Sequence, residues 1–142
     1  MRFLLLLLAL VGFIDSGFAL REHYRTDVSP CSINEHWDCG IVNHSPFAVL
    51  AGIPVAVIGM AGYVFLGALA MKRAFRLFLT AALVGLAFSL YLAHVEAHIL
   101  GVWCVYCAAS LGIISLMTLL GAGAAIFSRT GGAARQETAV SQ

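Results

Sequence analysis

Hydrophobic residues run along this chain in long blocks, set apart by short polar and charged intervals. Residues 47–71 carry no charge over 25 positions, residues 77–93 none over 17, and residues 99–127 none over 29. An α-helix rises about 1.5 Å per residue, so these lengths are compatible with helices crossing roughly 30 Å of hydrocarbon. A fourth block, residues 3–20, is interrupted only by Asp15. It reads either as a retained first helix, the preferred reading, or as a signal peptide with a small-residue cleavage site at Gly17-Phe18-Ala19. The pattern predicts an all-α fold, a polytopic membrane four-helix bundle. Its helices fall at about 3–20, 47–71, 77–93 and 103–127, in one domain over residues 1–127.

The intervals between blocks are too short to fold alone. The longest, residues 21–46, is the loop between helices 1 and 2. The end of the chain, 128–142, holds Gly131-Gly132 and scattered polar residues and is expected to be a disordered cytoplasmic tail. Gly52, Gly59 and Gly62 in the second predicted helix suggest ordinary small-residue packing, and Pro54 a kink near its outer end.

Composition supports the membrane reading. The chain is 61% hydrophobic and 11% charged, with a mean hydropathy of +0.95, against roughly 45–50% and 25% in soluble domains. A net charge of +1 offers no basic surface for a phosphate backbone, so nucleic acid is not an expected partner. The distribution of charge is more informative than its sum. With the N-terminus cytoplasmic, the inner side carries Arg2, Lys72, Arg73, Arg76, Arg129 and Arg135, and the outer side only Arg21 and Arg25. The same orientation brings all four cysteines and all five histidines to the outer face.

Chemistry is therefore expected there. Trp103-Cys104-Val105-Tyr106-Cys107 opens the last helix. Cysteines at i and i+3 on a first helical turn can close a disulfide, and the positive end of the helix favours the thiolate that exchange requires. Cys107 lies about 4.5 Å further along the helix axis than Cys104, toward the lipid level. A pair of small buried hydrophobes, or half of a zinc site, is the plainer alternative. Cys31 and Cys39, with seven residues between them in the first loop, read as a staple or as a second exchanging pair. Two pairs on one face suggest an electron relay. His94 and His98, with Glu96 between them, could tune thiol ionisation or bind metal, but at an interface they read more simply as solvated. Asp15 is a candidate proton relay or a snorkelling carboxylate.

Cys31, Cys39, Ser45 and Cys104-x-x-Cys107, in this order and spacing across four hydrophobic blocks, resemble the vitamin K epoxide reductase family in its bacterial form. The likeness runs over about residues 3–127. It includes the stretch 39–47, Cys39 to Phe47, then Gly52-Ile53-Pro54, Gly59 and Tyr63. The resemblance implies a four-helix bundle around a quinone, ubiquinone or menaquinone, in a bacterial inner membrane with the active site on the periplasmic side. It also implies a periplasmic thioredoxin-fold partner that gives electrons to the loop pair and a role in disulfide bond formation. Carried onto these positions, Cys107 would face the quinone, Cys104 would exchange with Cys39, Cys31 would complete the loop pair, and Ser45 would hydrogen-bond a quinone carbonyl. Two positions depart from the pattern: Val105 stands where many bacterial members have proline, and Val55 where some have an asparagine that helps hold the quinone. The fused thioredoxin domain of some relatives is not expected, because no segment here has room for one. A metal-binding membrane protein using the outer Cys and His residues, and an inert structural subunit, are the competing readings.

Overall fold

A computed structural model of the protein describes the backbone of residues 1–140 and the side chains of residues 1–129. Four long helices dominate: α1 (Arg2–His23), α3 (Val55–Met71), α4 (Phe75–Val95) and α5 (Val105–Val140). Between α1 and α3 lie a short helix, α2 (Cys39–Asn43), a single 3-10 turn (Pro46–Ala48) and a hairpin of β1 (Val49–Leu50) with β2 (Ile53–Pro54).

Three segments, Arg2–His23, Phe75–Leu100 and Val105–Arg129, are long and apolar enough to cross a membrane. α3 is a shorter apolar helix of 17 residues, about 26 Å long. What these helices do with their hydrophobic side chains identifies the solvent. A small set is buried at the centre: Leu5 and Ala9 of α1, Tyr63 and Leu66 of α3, Phe78 of α4 and Met117 of α5. Far more remain outside, Phe3 at 74% exposure and Leu119 at 71% among them. A bundle apolar on its outer surface as well as inside is built for lipid.

α1 packs chiefly on α3 and α4 on α5, with α1 also against α5, while α3 and α4 meet more sparsely. The α1–α3 approach is set by Gly12, over which the Tyr63 ring lies so closely that a Cβ at Gly12 would overlap it. The Tyr63 hydroxyl then reaches α5, 2.8 Å from Ser110 Oγ and 3.2 Å from the Ser110 carbonyl.

Several boundaries differ from those the sequence predicts. The second spanning helix begins at Val55 rather than 47. Ala51 and Gly52 have φ of +51° and +81°, as a tight two-residue hairpin loop requires, and Pro54 has no N–H to continue a helical ladder. The predicted proline kink is thus a helix start. α4 runs past residue 93 and widens into a π turn over Glu96–Leu100, closed by Gly101 in the left-handed region at φ +69°. α5 starts at Val105, two residues later than predicted, and continues to Val140 across most of the stretch expected as a disordered tail. Ala133, Ala134, Arg135, Gln136 and Glu137 are strong helix formers, and extending an existing helix needs no new nucleus. Residues 141–142 lie outside the described residues.

Candidate active site

The site forms where the loop after α1 folds back onto the start of α5. Asn34 Oδ1 accepts from the backbone N–H groups of His36 and Trp37 at 2.9 and 3.2 Å, turning the chain as an Asx residue does. The next residues pair with the strand entering α5. Trp103 N–H donates to His36 O at 2.8 Å and Asp38 N–H donates to Trp103 O at 3.0 Å, a parallel bridge that sets Trp37 beside Trp103. Asp38 then caps α2, its side chain accepting from Ile41 N–H at 3.1 Å. Two hydrogen bonds thus fix the register between residues 36–38 and Trp103. Cys39 and Cys104, the residues that follow each side of the bridge, are carried into one buried cluster.

That cluster contains Cys31, Cys39, Val42, Val102 and Cys104, with Tyr106 and Cys107 packed against it. Cys31 and Cys39 are joined in a disulfide with Cα atoms 5.6 Å apart, and Cys104 and Cys107 are free thiols. Cys39 and Cys104 are both fully buried, so the first loop is packed down at its cysteines. Asn43, itself buried, spans the two pairs: its Nδ2 donates to Cys39 O at 2.8 Å and to Cys104 Sγ at 3.6 Å.

Cys104 caps α5, its carbonyl accepting from Ala108 N–H at 3.0 Å, and Cys107 lies within the first turn. The Cys107 thiol donates to the Cys104 sulfur and holds its pKa below the ordinary thiol range, against the opposing effect of burial. Helix-end amides act in the same direction. Cys104 is therefore the better nucleophile of the pair, and Cys107 the donor beside it.

Cys107 also forms part of the wall of a cavity of roughly 110 Å³ that reaches from Ser45 and Asn43 at the outer end to Asp15, Ser89 and Ser110 in the bundle. A second, more apolar cavity of about 440 Å³ runs between α3, α4 and α5 and shares Gly59, Phe88, Ser89 and Ser110 with the first. The two together lead from Cys107 to the sparse α3–α4 seam. Ser45 lines the first cavity as the sequence suggests, but here its hydroxyl donates to Val42 O at 2.7 Å. Val55, one of the departures noted above, lines it too.

Two contributors were not singled out from sequence as part of the site. One is Asn43. The other is Glu96, read as solvated with its histidine neighbours, yet only 2% exposed while His94 and His98 face outward. Its Oε2 accepts from Cys104 N–H at 3.0 Å. The signal was present: Ser89, Leu92 and Glu96 follow i, i+3, i+7 spacing on α4 and all line the cavity. Among the described residues no group of three or more His, Cys, Asp or Glu residues could hold a metal ion.

A lipid-embedded helical bundle carrying a buried disulfide against a free dithiol at a helix mouth defines a membrane thiol redox protein. Residues 3–122 match the sequence model of the Vitamin K epoxide reductase family, and the chain belongs to that family. No curated protein matches the chain. Family membership makes the protein a membrane redox enzyme, and its four cysteines lie together at one site.

Proposed function

We propose that the protein oxidises the dithiol of a periplasmic thioredoxin-fold partner and passes the two electrons through Cys31–Cys39 and Cys104/Cys107 to a quinone, supporting disulfide bond formation at a bacterial inner membrane. The observation that carries this reading is the burial of the Cys31–Cys39 disulfide and the free Cys104 in one cluster, with Cys107 next to it on the wall of a cavity. Exchange proceeds by thiolate attack along a line of sulfurs. Once the partner has reduced the loop pair, the Cys39 thiolate attacks Cys104 of an oxidised inner pair, joining Cys39 to Cys104 and freeing Cys107. Cys31 then attacks Cys39, restoring the loop disulfide and leaving Cys104 and Cys107 reduced. The structure has the thiol pattern of that stage.

The residues present fit a quinone as acceptor. A cavity of this size is of the order that holds a single ring, the adjoining apolar cavity offers room for a lipid tail, and no haem, flavin or iron–sulfur motif stands in the chain. Ser45 would turn its hydroxyl from Val42 O to a ring carbonyl. A quinone supplies the two-electron sink, and Cys107 is the sulfur placed to meet it. Purified protein given a reduced thioredoxin-fold protein and a soluble quinone is expected to form one quinol per partner disulfide. Partner oxidation without quinol formation, or neither, overturns the reading.

A further inference from the structure

Glu96 is the least explained residue of the site. A carboxyl at 2% exposure in an apolar bundle is costly unless paired, and it has no cation beside it. Its Oε2 is fixed by Cys104 N–H at 3.0 Å. Its Oε1 is buried with no hydrogen-bond partner. Glu96 and Cys107 line the same cavity, and the carboxyl is tied to the backbone of Cys104 at the mouth of the helix that carries Cys107. Glu96 stands at the start of the π turn over Glu96–Leu100, with Val95 and Glu96 buried while His94 and His98 stay outside.

Resting on the quinone reading above, we infer that Glu96 is the proton acceptor for Cys107: its free Oε1 takes the thiol proton when Cys107 reacts and returns it to the reduced acceptor. The balance closes. Cys104 and Cys107 lose two electrons and two protons as their S–S bond forms, and the quinone gains both pairs to become a quinol. One proton travels through Glu96 and the other leaves the Cys104 thiol. Glu96 Oε1 is an unpartnered proton-accepting atom on a residue of the same cavity wall as Cys107, so an internal acceptor is at hand when the thiol ionises. The titratable groups around Glu96 are Cys104, Cys107 and Tyr106 from α5 and Asp15 and His23 from α1, all near or lining the cavity; α3 contributes none. Asp15 Oδ2 is also unpartnered, but no hydrogen bond ties Asp15 to a cysteine, whereas Glu96 is bound to the backbone of one.

A carboxyl that only capped the start of α5 would be replaced adequately by an amide, since a Gln oxygen accepts from Cys104 N–H but cannot take up a proton. The test therefore uses Glu96→Gln and Glu96→Asp in the full-length protein. With the inner pair reduced and a soluble quinone added, single-turnover quinol formation by Glu96→Gln should fall about 10²–10⁴-fold at neutral pH, the range of a lost general base, and recover as alkaline pH ionises the thiol directly. Glu96→Asp should retain part of the rate. A Glu96→Gln variant that forms quinol at the wild-type rate at neutral pH, or that is inactive at every pH, overturns the inference. A second measurement needs no quinone. In a Cys104→Ala background Cys107 is the only free thiol, and its alkylation at neutral pH should slow when Glu96→Gln removes the acceptor for its proton, and recover at alkaline pH; an unmoved rate also overturns it. If the wild type reduces no quinone, it is the proposed function that fails, and the alkylation result alone decides on Glu96.

Discussion

At the scale of single residues, the two thiols at the start of α5 differ in surroundings and so in task. Cys104 is buried under α2 with Asn43 and Cys107 directing donors at its sulfur, whereas Cys107 opens onto the cavity. Cys104→Ala should abolish turnover with the helices still folded, since it removes the atom that links loop to inner pair. Cys31→Ala should block oxidation of a protein dithiol yet leave turnover with a small reductant that reaches Cys104 directly. Equal rates of Cys31→Ala and wild type toward the protein dithiol would exclude a role for the loop pair. The lowered pKa of Cys104 gives a pH test with a definite sign. A depressed thiol is ionised, and reactive, at lower pH than an ordinary one, and the Cys107 thiol is its largest cause. Cys107→Ala should therefore move to higher pH the profile of the reverse step, attack of the Cys104 thiolate on Cys39 of the loop disulfide, read by trapping the Cys39–Cys104 mixed disulfide at a series of pH values. Ser45→Ala removes one neutral hydrogen bond of about 0.5–1.5 kcal/mol, so quinone use should weaken roughly three- to tenfold in KM rather than disappear.

At the scale of elements, the decisive contact is the bridge between residues 36–38 and Trp103. It joins the segments before Cys39 and Cys104 by two backbone hydrogen bonds, beside the side-chain link that Asn43 makes between the two cysteines. Trp103→Pro deletes the N–H that reaches His36 O and leaves α5 to begin at its normal place. Exchange between the pairs should then slow sharply, while reaction of the inner pair with a small dithiol persists, as stopped-flow thiol measurements on both couples would show. An unaltered exchange rate would mean that burial alone keeps the cysteines together. This element also marks how far the sequence could be read. The four hydrophobic blocks, the two cysteine pairs and their shared side were legible, because charge gaps and i, i+3 spacing are local patterns. The hairpin in place of the first two turns of the second predicted helix was signalled by Gly52 and Pro54 but outweighed by hydrophobicity. The bridge was not legible: Trp37 and Trp103 are 66 positions apart, and backbone pairing at that separation leaves no mark in residue type. Glu96 was misjudged for a different reason. It was grouped with His94 and His98 by proximity in sequence, whereas helical spacing from Ser89 and Leu92 turns it inward.

At the scale of the whole molecule, the chemistry is confined to one end. The disulfide, the free thiols, Asn43 and Glu96 all gather where α1 ends, α4 widens and α5 begins, and the opposite end carries the tight Lys72–Ala74 connection between α3 and α4, with Arg73 at φ +55°. Lys72, Arg73 and Arg76 cluster at that connection, and Arg2 and Arg129 lie at the same ends of α1 and α5. Cytoplasmic loops attract such positive residues, and the two arginines near the cysteine end, Arg21 and Arg25, are partly offset by Glu22, whose Oε1 lies 3.4 Å from Arg25. Both the α3–α4 connection and the chain end should therefore be cytoplasmic, with the cysteines in the oxidising compartment where a structural or exchanging disulfide persists. A reporter active only in the cytoplasm should be active when fused after Ala74 and after Gln142, and a periplasmic reporter should be active when inserted in the loop near Glu35. α1 packs against both α3 and α5 and supplies Asp15, Ser16 and His23 to the cavity wall, so the bundle needs it in the membrane. Mature protein should accordingly still contain residues 2–23 by mass. A periplasmic signal after Gln142 would invert the molecule and place both cysteine pairs on the reducing side, where the Cys31–Cys39 disulfide would not survive.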